Sequence, residues 1–464
     1  MTLQKQLASA PALPRRHTLN VALNVGGIAV PVLVGVLAIP ALVRHLGQEG
    51  FATLALGWTV VGYFSVLDLG IGRALTMHIA RKAQDHDPQA TAALAHTGRR
   101  LMLGLGLLWT VLLLALYPVV AARWPVLSTQ TAAPGIAWTL LVLCIPFTLW
   151  FNSSAGILEA HSRFVNVNIV RIPLGIATYA GPLLASLLTP DIAWIFCSLL
   201  LARMAAATVL AWETRDRFAP RAAPLPAADV RGLLKFGGWM TVSQVVGPLF
   251  VYLDRFAIAA VISAAAVTHY TVPFDVLTRL PLFPIAIMSV LFPLFVQAQG
   301  MGDDRPATQA YATARKTLQL LLLAWLPAMA LGAWLGPLVL RLWVGPELAS
   351  ASAPVWQWLI VGVAVNGLAH LPLTLLQSKG RTDVIAWLHL LQLAPYLLAL
   401  WWALERFGIA GAAFVWTLRV TVDALLLHAC AWKAAPAWQH LLRTSLAASL
   451  ALAGVLGLLA WSRS

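Results

Sequence analysis

Thirteen apolar runs, each of about 20 residues or more, constrain the fold of this 464-residue chain more than any other feature. A helix needs about 20 residues to cross a hydrocarbon core about 30 Å thick. Inside lipid, backbone polar groups must be bonded within the protein, and runs of this length favour helices over barrel strands. The runs fall at 18–44, 50–79, 99–122, 132–157, 164–187, 191–212, 234–262, 267–297, 315–343, 351–378, 382–404, 408–432 and 440–461. The sequence therefore predicts an all-α polytopic membrane protein.

The charge distribution fits the same class. The chain is 60% hydrophobic and carries a formal net charge of +14. Most Lys and Arg lie between apolar runs, where they set topology and touch anionic membrane lipids, so we expect no nucleic-acid partner. Because the basic loops alternate with loops that hold few cations, the positive-inside rule predicts a cytoplasmic N-terminus. Cys144, Cys197 and Cys430 lie in apolar runs without metal or disulfide spacing and are expected to be packing residues.

The longest polar connection predicts the domain organisation. Residues 213–231, which contain three prolines, separate the first six predicted helices from the next six. We expect an N-terminal six-helix lobe at 1–212, a cytoplasmic linker at 213–231, a second six-helix lobe at 232–433 and an additional C-terminal helix at 434–464. Because six is even, two such halves would share one orientation in the membrane.

Arginines inside the apolar runs are the leading candidates for a binding site. An ionisable group is costly in lipid unless it faces a wet or protein-lined cavity, so it marks a transport pathway by default. Arg279 lies nine residues after Tyr270, a depth of about 14 Å at 1.5 Å per residue. Similar depths single out Arg419, Arg203 and Arg171. Guanidinium groups stay charged when buried and pair well with phosphate oxygens, so the sequence predicts an anionic substrate.

Two of these arginines have a carboxylate four residues away on the same helix. Asp275 precedes Arg279, and Asp423 follows Arg419, so each pair shares a helix face. Each pair could instead neutralise itself between packed helices. The chain has no Gly-rich phosphate loop before a helix, so we expect no nucleotide cofactor. Proton or sodium coupling through Asp275 or Asp423 is the alternative energy source, since buried carboxylates are the usual handles for such ions.

Weaker candidates complete the predicted site. Four residues could line a polar groove or could simply satisfy neighbouring helices: Asn24, Asn152, Asn366 and His370. Asp254 and Arg255 are adjacent near the end of predicted helix 7, about 27 Å from Phe236. They are interpreted either as an interfacial anchor or as groups that line the cavity. Four prolines in predicted helix 8 suggest a kink or a hinge.

Several motifs resemble those of the Wzx-type polysaccharide flippases, from the first predicted helix to the twelfth. They are Arg44-His45-Leu46-Gly47, Gly50-Phe51-Ala52, Asp68-Leu69-Gly70-Ile71-Gly72-Arg73, Tyr252-Leu253-Asp254-Arg255, Tyr270-Thr271, Leu291-Phe292-Pro293, Arg341-Leu342-Trp343-Val344-Gly345, Gln377-Ser378-Lys379-Gly380-Arg381 and Gly408-Ile409-Ala410-Gly411-Ala412-Ala413. Each motif is short, and their order and spacing together carry the resemblance.

The resemblance implies both a fold and a function. The fold would be two six-helix lobes that form a V around a central cavity, as in the superfamily of multidrug extruders and lipid II flippases. The function would be alternating-access transport of an undecaprenyl-diphosphate-linked glycan from the cytoplasmic to the periplasmic leaflet of the bacterial inner membrane. Polysaccharide polymerase or chain-length machinery would be a partner.

Two other classes of function are compatible with a polytopic membrane protein. An ion-coupled multidrug extruder for cations belongs to the same superfamily, but cationic substrates favour acidic cavity walls, and the candidate residues here are mainly arginines. A membrane enzyme acting on the same lipid carrier would need a sizeable outer loop for its catalytic groups. Every predicted outer loop has about a dozen residues or fewer, so we expect no enzyme.

Overall fold

A computed structural model describes residues 15–66, 75, 79, 88–123, 126–161, 163–215, 249–250, 252–297 and 308–461. The helices in these ranges are α1 (Arg15–Val66), α2 (Pro88–Ala115), α3 (Tyr117–Arg123), α4 (Val126–Thr129), α5 (Pro134–Val142), α6 (Cys144–Ala160), α7 (Phe164–Leu188), α8 (Ile192–Glu213), α9 (252–261), α10 (Ala264–Leu277), α11 (Leu282–Gln297), α12 (Thr308–Val344), α13 (Pro346–Ser378), α14 (Thr382–Ala434) and α15 (Gln439–Trp461). The predicted linker at 213–231 and the motif at 68–73 lie largely or wholly outside the described residues.

The helices follow the predicted apolar runs. Ten described segments are long and apolar enough to cross a membrane. Two of the longest, α1 and α14, each contain two helices that meet at a single glycine. Gly47 has φ 71° and Gly408 has φ 61°, backbone angles that glycine adopts without the steric penalty of a Cβ. The predicted all-α membrane fold is confirmed, and the V-shaped arrangement around a cavity stays a prediction.

Predicted helix 8, at 267–297, is wrong as one continuous helix. α10 ends at Leu277, and α11 begins after a tight turn. Pro281 has no N–H to donate to the Leu277 carbonyl, which instead accepts a hydrogen bond from Leu280 N–H at 3.1 Å. Pro284 removes the next such donor, since its partner would be the Leu280 carbonyl. The prolines therefore locate the expected kink between Thr278 and Pro281.

The chain forms two compact units. The first unit contains residues 1–45, 60–122 and 127–241, and the second contains 46–59, 123–126 and 242–464. In the first unit, α6, α7 and α8 enclose an apolar cluster of Phe151, Ala155, Leu158, Val167, Ala206, Ala207 and Leu210. Helix α1 therefore contributes its 46–59 segment to the second unit and its flanking segments to the first.

Helix α13 forms the centre of the second unit. It packs against α10, α11, α12, α14 and α15, and most of its side chains are buried. Two glycines allow large rings to approach its backbone. A Cβ on Gly362 or Gly367 would lie 2.5 Å from the ring of Trp416 or Trp325, respectively. The second unit is thus held by close packing around one nearly all-apolar helix.

The C-terminal helix α15 packs in the second unit. Its buried stripe has helical spacing and comprises Leu441, Leu442, Ser445, Ser449, Leu452, Leu456 and Ala460. Ser445 Oγ donates to the Leu368 carbonyl of α13 at 3.3 Å. His428 of α14 lies 3.2 Å from the same hydroxyl through Nε2. The predicted additional helix is therefore an integral part of this unit.

Candidate functional site

Two adjacent residues of α9 carry the most buried charges described in the second unit. Asp254 is 0% exposed, and Arg255 is 5% exposed. Both lie about two turns inside the helix end near Ser263, a depth of about 12–14 Å. Burial inside the protein favours the cavity-lining alternative for these residues, because an anchor at the membrane surface would reach headgroups and water.

Asp254 is held by two tyrosines from different helices. Tyr270 of α10 donates its hydroxyl hydrogen to Asp254 Oδ2 at 2.6 Å, and Tyr396 of α14 donates to Oδ1. Both tyrosines are buried, and Tyr396 also packs edge-on against Phe250 at 5.4 Å between ring centroids. No described cation forms an ion pair with this carboxylate. Asp254 is therefore solvated by hydroxyl groups in place of water.

Arg255 makes contacts in a different direction. Its Nη2 forms an ion pair with Asp275 Oδ1 on α10, and its Nη1 donates to Thr59 Oγ1 on α1 at 3.0 Å. The guanidinium also lies 5.6 Å from the centroid of Phe274. One side chain thus joins α9 to two other helices of the second unit.

The predicted pairing of Asp275 with Arg279 is replaced by the Arg255 ion pair. Asp275 lies on α10 near its end, and Arg279 lies in the turn that follows, so the two no longer share a regular helix face. Arg279 is exposed, and among the described residues it forms no hydrogen bond or ion pair through its side chain. It lies roughly midway between Ala264 and Gln297, about 22 Å along the chain direction from the start of α10. Arg279 therefore lies within the candidate span Ala264–Met288, and the described residues provide Tyr252 as an electrostatic neighbour of its guanidinium but no ion-pair partner.

Arg419 belongs to a second polar group on α14. Its guanidinium stacks on Phe250, 4.3 Å from the ring centroid, and its Nε is buried without a hydrogen-bond partner. Asp423, one turn later, accepts a hydrogen bond from Gln392 Nε2 at 2.8 Å and lies 3.7 Å from His389 Nε2. Asp423 is therefore bound mainly by residues of the other arm of α14, and Arg419 forms no direct ion pair with any residue that the structure describes.

The two predicted arginines of the first unit have local partners. Arg171 of α7 forms an ion pair with Glu159 of α6 at 2.8 Å, and the two side chains are 41% and 28% exposed. Arg203 of α8 donates through Nη1 to the carbonyl of Leu199, one turn earlier on its own helix, at 3.3 Å. Neither arginine lies within the network around Asp254.

The weaker candidates are scattered. Asn24 lies in α1, with its side chain outside the described residues, and Asn152 is half-buried in α6, where it has a partner. Asn366 and His370 are half-buried one turn apart on α13. Their roles, like those of the four arginines and two carboxylates, stay predictions.

Sequence reasoning missed several members of the network, although a signal for some was present. His389, Gln392 and Tyr396 follow i, i+3, i+7 spacing and therefore form a polar stripe on one face of an otherwise apolar helix. Tyr270 appeared only as part of a motif, and Thr59 gave no signal of its own. Chemically, the two polar groups together hold three carboxylates, two guanidinium groups and one imidazole, with Arg279 lying apart from both.

Comparisons with known proteins place the chain in a family. A model of the polysaccharide biosynthesis protein family matches residues 19–299. A provisionally named O-antigen transporter of Shigella flexneri is 28% identical over 406 residues, which cover 87% of this chain and 95% of that protein. An uncharacterised membrane protein of Bacillus subtilis, EpsK, is 26% identical over 68% of this chain and 63% of its own length.

Solved structures share the fold at low sequence identity. An inward-facing multidrug resistance MATE family transporter of the MOP superfamily superposes with a TM-score of 0.70 at 15% identity, over 92% of this chain and 98% of that one. The lipid II flippase MurJ in an inward closed conformation gives a TM-score of 0.68 at 10% identity, over 95% and 98%. These structures show the fold, and the sequence match shows the family. The chain is thus a multi-pass membrane member of the polysaccharide biosynthesis protein family.

Proposed function

We propose that this protein is a flippase that moves an undecaprenyl-diphosphate-linked oligosaccharide from the cytoplasmic to the periplasmic leaflet of the bacterial inner membrane. Its family, its similarity to the Shigella flexneri transporter over nearly the full length of both proteins, and its transporter-like fold all support transport. The similarity to a protein named for O-antigen supports a glycan substrate. In this proposal the N-terminus is cytoplasmic, no catalytic step occurs, and membrane lipids and a polysaccharide polymerase are partners.

The position and the surroundings of Arg279 are the observation that supports this proposal most strongly. It is a mid-span guanidinium with no described ion-pair partner, on a turn where the helix is broken. An isolated cation at this depth is costly unless water or an anion faces it. A diphosphate supplies such an anion, and the planar fork of arginine matches its oxygens. Arg279 would therefore bind the diphosphate group of the carrier during transport.

Arg419 is a second anion-binding residue in this proposal. Its Nε lacks a protein partner, and the ring of Phe250 covers one face of the guanidinium. Phosphate or an acidic sugar could bind the remaining donors without breaking an existing ion pair. Arg171 and Arg203 would contribute less, because each already has a protein acceptor.

Asp254 is the coupling carboxylate that the geometry favours over Asp275 and Asp423. Asp275 is neutralised by Arg255, and Asp423 lies one turn from Arg419, whereas Asp254 has no ion-paired cation. Its two oxygens receive hydroxyl donors, an arrangement that suits a proton more than a metal cation, which needs several oxygen lone pairs directed at it. Proton binding would neutralise a fully buried carboxylate that forms no ion pair with any described residue.

Transport by purified protein in vesicles tests the role of Arg279. We expect Arg279→Ala to flip undecaprenyl-diphosphate-linked oligosaccharide at less than about a tenth of the unsubstituted rate, because a hydrogen-bonded charge interaction is lost. Arg279→Lys should retain part of the activity. The matched control is Arg381→Ala, which removes an exposed arginine from the start of α14.

Two results would overturn the proposal. Normal flipping by Arg279→Ala would remove this arginine from the mechanism. Efflux of a cationic dye by the unsubstituted protein, without flipping of the lipid-linked glycan, would favour the multidrug extruder instead.

A further inference from the structure

Arg255 is held at both ends of its guanidinium group. Nη2 is bound by Asp275, and Nη1 donates to Thr59 Oγ1 at 3.0 Å. Thr59 Oγ1 donates its own hydrogen to the Ala55 carbonyl at 2.8 Å, which leaves a lone pair to accept from Arg255. The arginine side chain is only 6% exposed, and the Phe274 ring lies beside it. A planar group fixed at two nitrogens in this way cannot rotate without breaking a contact.

The Asp275 contact lies immediately before the turn that carries Arg279. In this turn the spacing of the backbone hydrogen bonds is shorter than in an α-helix. Arg279 N–H donates to the carbonyl of Val276, three residues earlier, at 3.2 Å. Such a turn is less regular than the helix, so its direction depends on how the end of α10 is held. Phe274, one residue earlier, is buried between Tyr270 and Trp416. Among the described ion pairs of α10, the Arg255–Asp275 pair is thus the one that lies next to the turn that contains Arg279.

The Thr59 contact marks a different boundary. Thr59 is the last residue of the 46–59 segment that belongs to the second unit, and α1 continues from Val60 as part of the first unit. Thr268 Oγ1 and His269 bind Gln48 at the other end of this segment, at 2.6 and 3.0 Å. The segment is therefore fixed to the second unit by polar contacts at its beginning and at its end.

We propose that Arg255 is a positioning residue for Arg279. Its ion pair with Asp275 holds the end of α10 and thereby sets the orientation of Arg279 in the turn that follows. Its hydrogen bond with Thr59 links the end of α10 to the residue at which α1 leaves the second unit. The inference rests on the proposed function, in which Arg279 binds the diphosphate. Movement of α1 at Thr59 would then change the orientation of Arg279, so that substrate binding and conformational change are linked through one side chain.

Kinetics of the full-length protein in vesicles test the two contacts separately. Asp275→Asn should raise KM for the undecaprenyl-diphosphate-linked oligosaccharide by about tenfold, because the ion pair that sets the turn is weakened. Thr59→Val keeps the side-chain shape but removes the acceptor, and it should lower kcat with little change in KM. Arg255→Lys should affect both parameters, since an ammonium group lacks the fork that spans the two partners.

The exposed pair Arg381–Asp383 supplies matched controls. Its side chains are 52% and 51% exposed, and it lies at the start of α14. Arg381→Lys and Asp383→Asn should leave both kinetic parameters unchanged. Every variant is compared at equal amounts in the membrane and by size-exclusion chromatography, and the shape-conserving Thr59→Val remains informative if Arg255→Lys fails to fold.

Thiol reactivity gives a readout that needs no substrate. A cysteine at position 279 (Arg279→Cys) is reacted with a charged methanethiosulfonate reagent, with the unsubstituted protein reporting the background from Cys144, Cys197 and Cys430. We expect Asp275→Asn or Arg255→Lys to change the reaction rate by about threefold or more, a coupling typical of interacting sites. An unchanged rate would overturn the positioning role even if Arg279 is essential for transport.

A double substitution separates this inference from the proposed function. If Arg255 acts through Arg279, Arg255→Lys should lower transport no further once Arg279→Ala is present. Independent, additive losses would overturn the inference. Normal transport by Arg279→Ala alone would overturn the proposed function, whereas the thiol measurement would still report whether Arg255 sets the turn.

Discussion

The two compact units treat their arginines differently. In the first unit, Arg171 pairs with Glu159 while both side chains remain partly exposed, and Arg203 bonds a carbonyl of its own helix. In the second unit, Asp254 and Arg255 are almost fully buried, and their partners lie on α1, α10 and α14. These two arginines of the first unit thus bind their own helix or the preceding one, whereas Asp254 and Arg255 bind partners on three other helices of the second unit.

This difference indicates where substitutions should matter. A partly exposed ion pair contributes little to stability, because water and side-chain entropy compensate for its loss. Removing one partner from a buried pair leaves the other without solvation, which costs much more. The second unit should therefore respond strongly to changes that the first unit tolerates, and three substitutions test this from the largest expected effect to the smallest.

Asp254→Ala should have the largest effect. The hydroxyl groups of Tyr270 and Tyr396 would both lose their acceptor in a buried site, and each bond to a charged group contributes about 1.5–3 kcal/mol. We expect the free energy of unfolding to fall by about 3–5 kcal/mol, measured by thermal and denaturant unfolding in detergent. Adding Tyr270→Phe and Tyr396→Phe should recover part of the loss, and a melting temperature equal to that of the unsubstituted protein would contradict the network.

Asp423→Asn should have an intermediate effect. The amide oxygen can still accept the hydrogen bond from Gln392, but the negative charge one turn from Arg419 is lost. We expect a loss of about 1 kcal/mol in the same unfolding measurement. Asp383→Asn, at an exposed position on the same helix, is the control and should leave stability unchanged. A loss as large as that of Asp254→Ala would show that Asp423 is the central carboxylate.

Arg171→Gln should have the smallest effect. Its ion pair with Glu159 is partly exposed, so the change in the free energy of unfolding should stay below about 1 kcal/mol. Flipping in vesicles should fall by no more than about twofold, and Glu159→Gln should behave in the same way. Complete loss of transport in Arg171→Gln with normal stability would contradict this difference between the two units. Arg171 would then be a substrate-binding residue, as its predicted depth in the membrane suggests.

Sequence reasoning located the helices but not the partners. Run length alone predicted the helices, because crossing a membrane is a constraint on each segment by itself. The pairing of Arg255 with Asp275 depends on how α9 and α10 are rotated about their axes, which spacing within one helix does not encode. The i, i+4 rule therefore assigned Asp275 to Arg279, its neighbour in sequence, and missed the neighbour in space.

The kink in predicted helix 8 shows a similar limit. Its sequence contains Pro273, Pro281, Pro284 and Pro293, and a kink was expected without a position. Pro273 lies within α10, which continues past it, whereas Pro281 and Pro284 delimit the break. Two donors lost three residues apart disrupt consecutive turns, while an isolated proline removes only one. The close spacing of Pro281 and Pro284, more than the number of prolines, would have predicted where the helix breaks and hence that Arg279 lies in the turn.

Very short connections between helices in the second unit limit where the chain can accept an insertion. Gly47, Ser263, Gly345 and Gly408 each turn the chain between long helices with almost no intervening segment. An epitope tag, a protease site or a fluorescent fusion inserted at Gly47, Gly345 or Gly408 would separate helices whose reversal depends on a positive φ at that glycine. Labels and antibody epitopes are therefore better placed in the polar stretch 298–307, which the sequence inserts between α11 and α12.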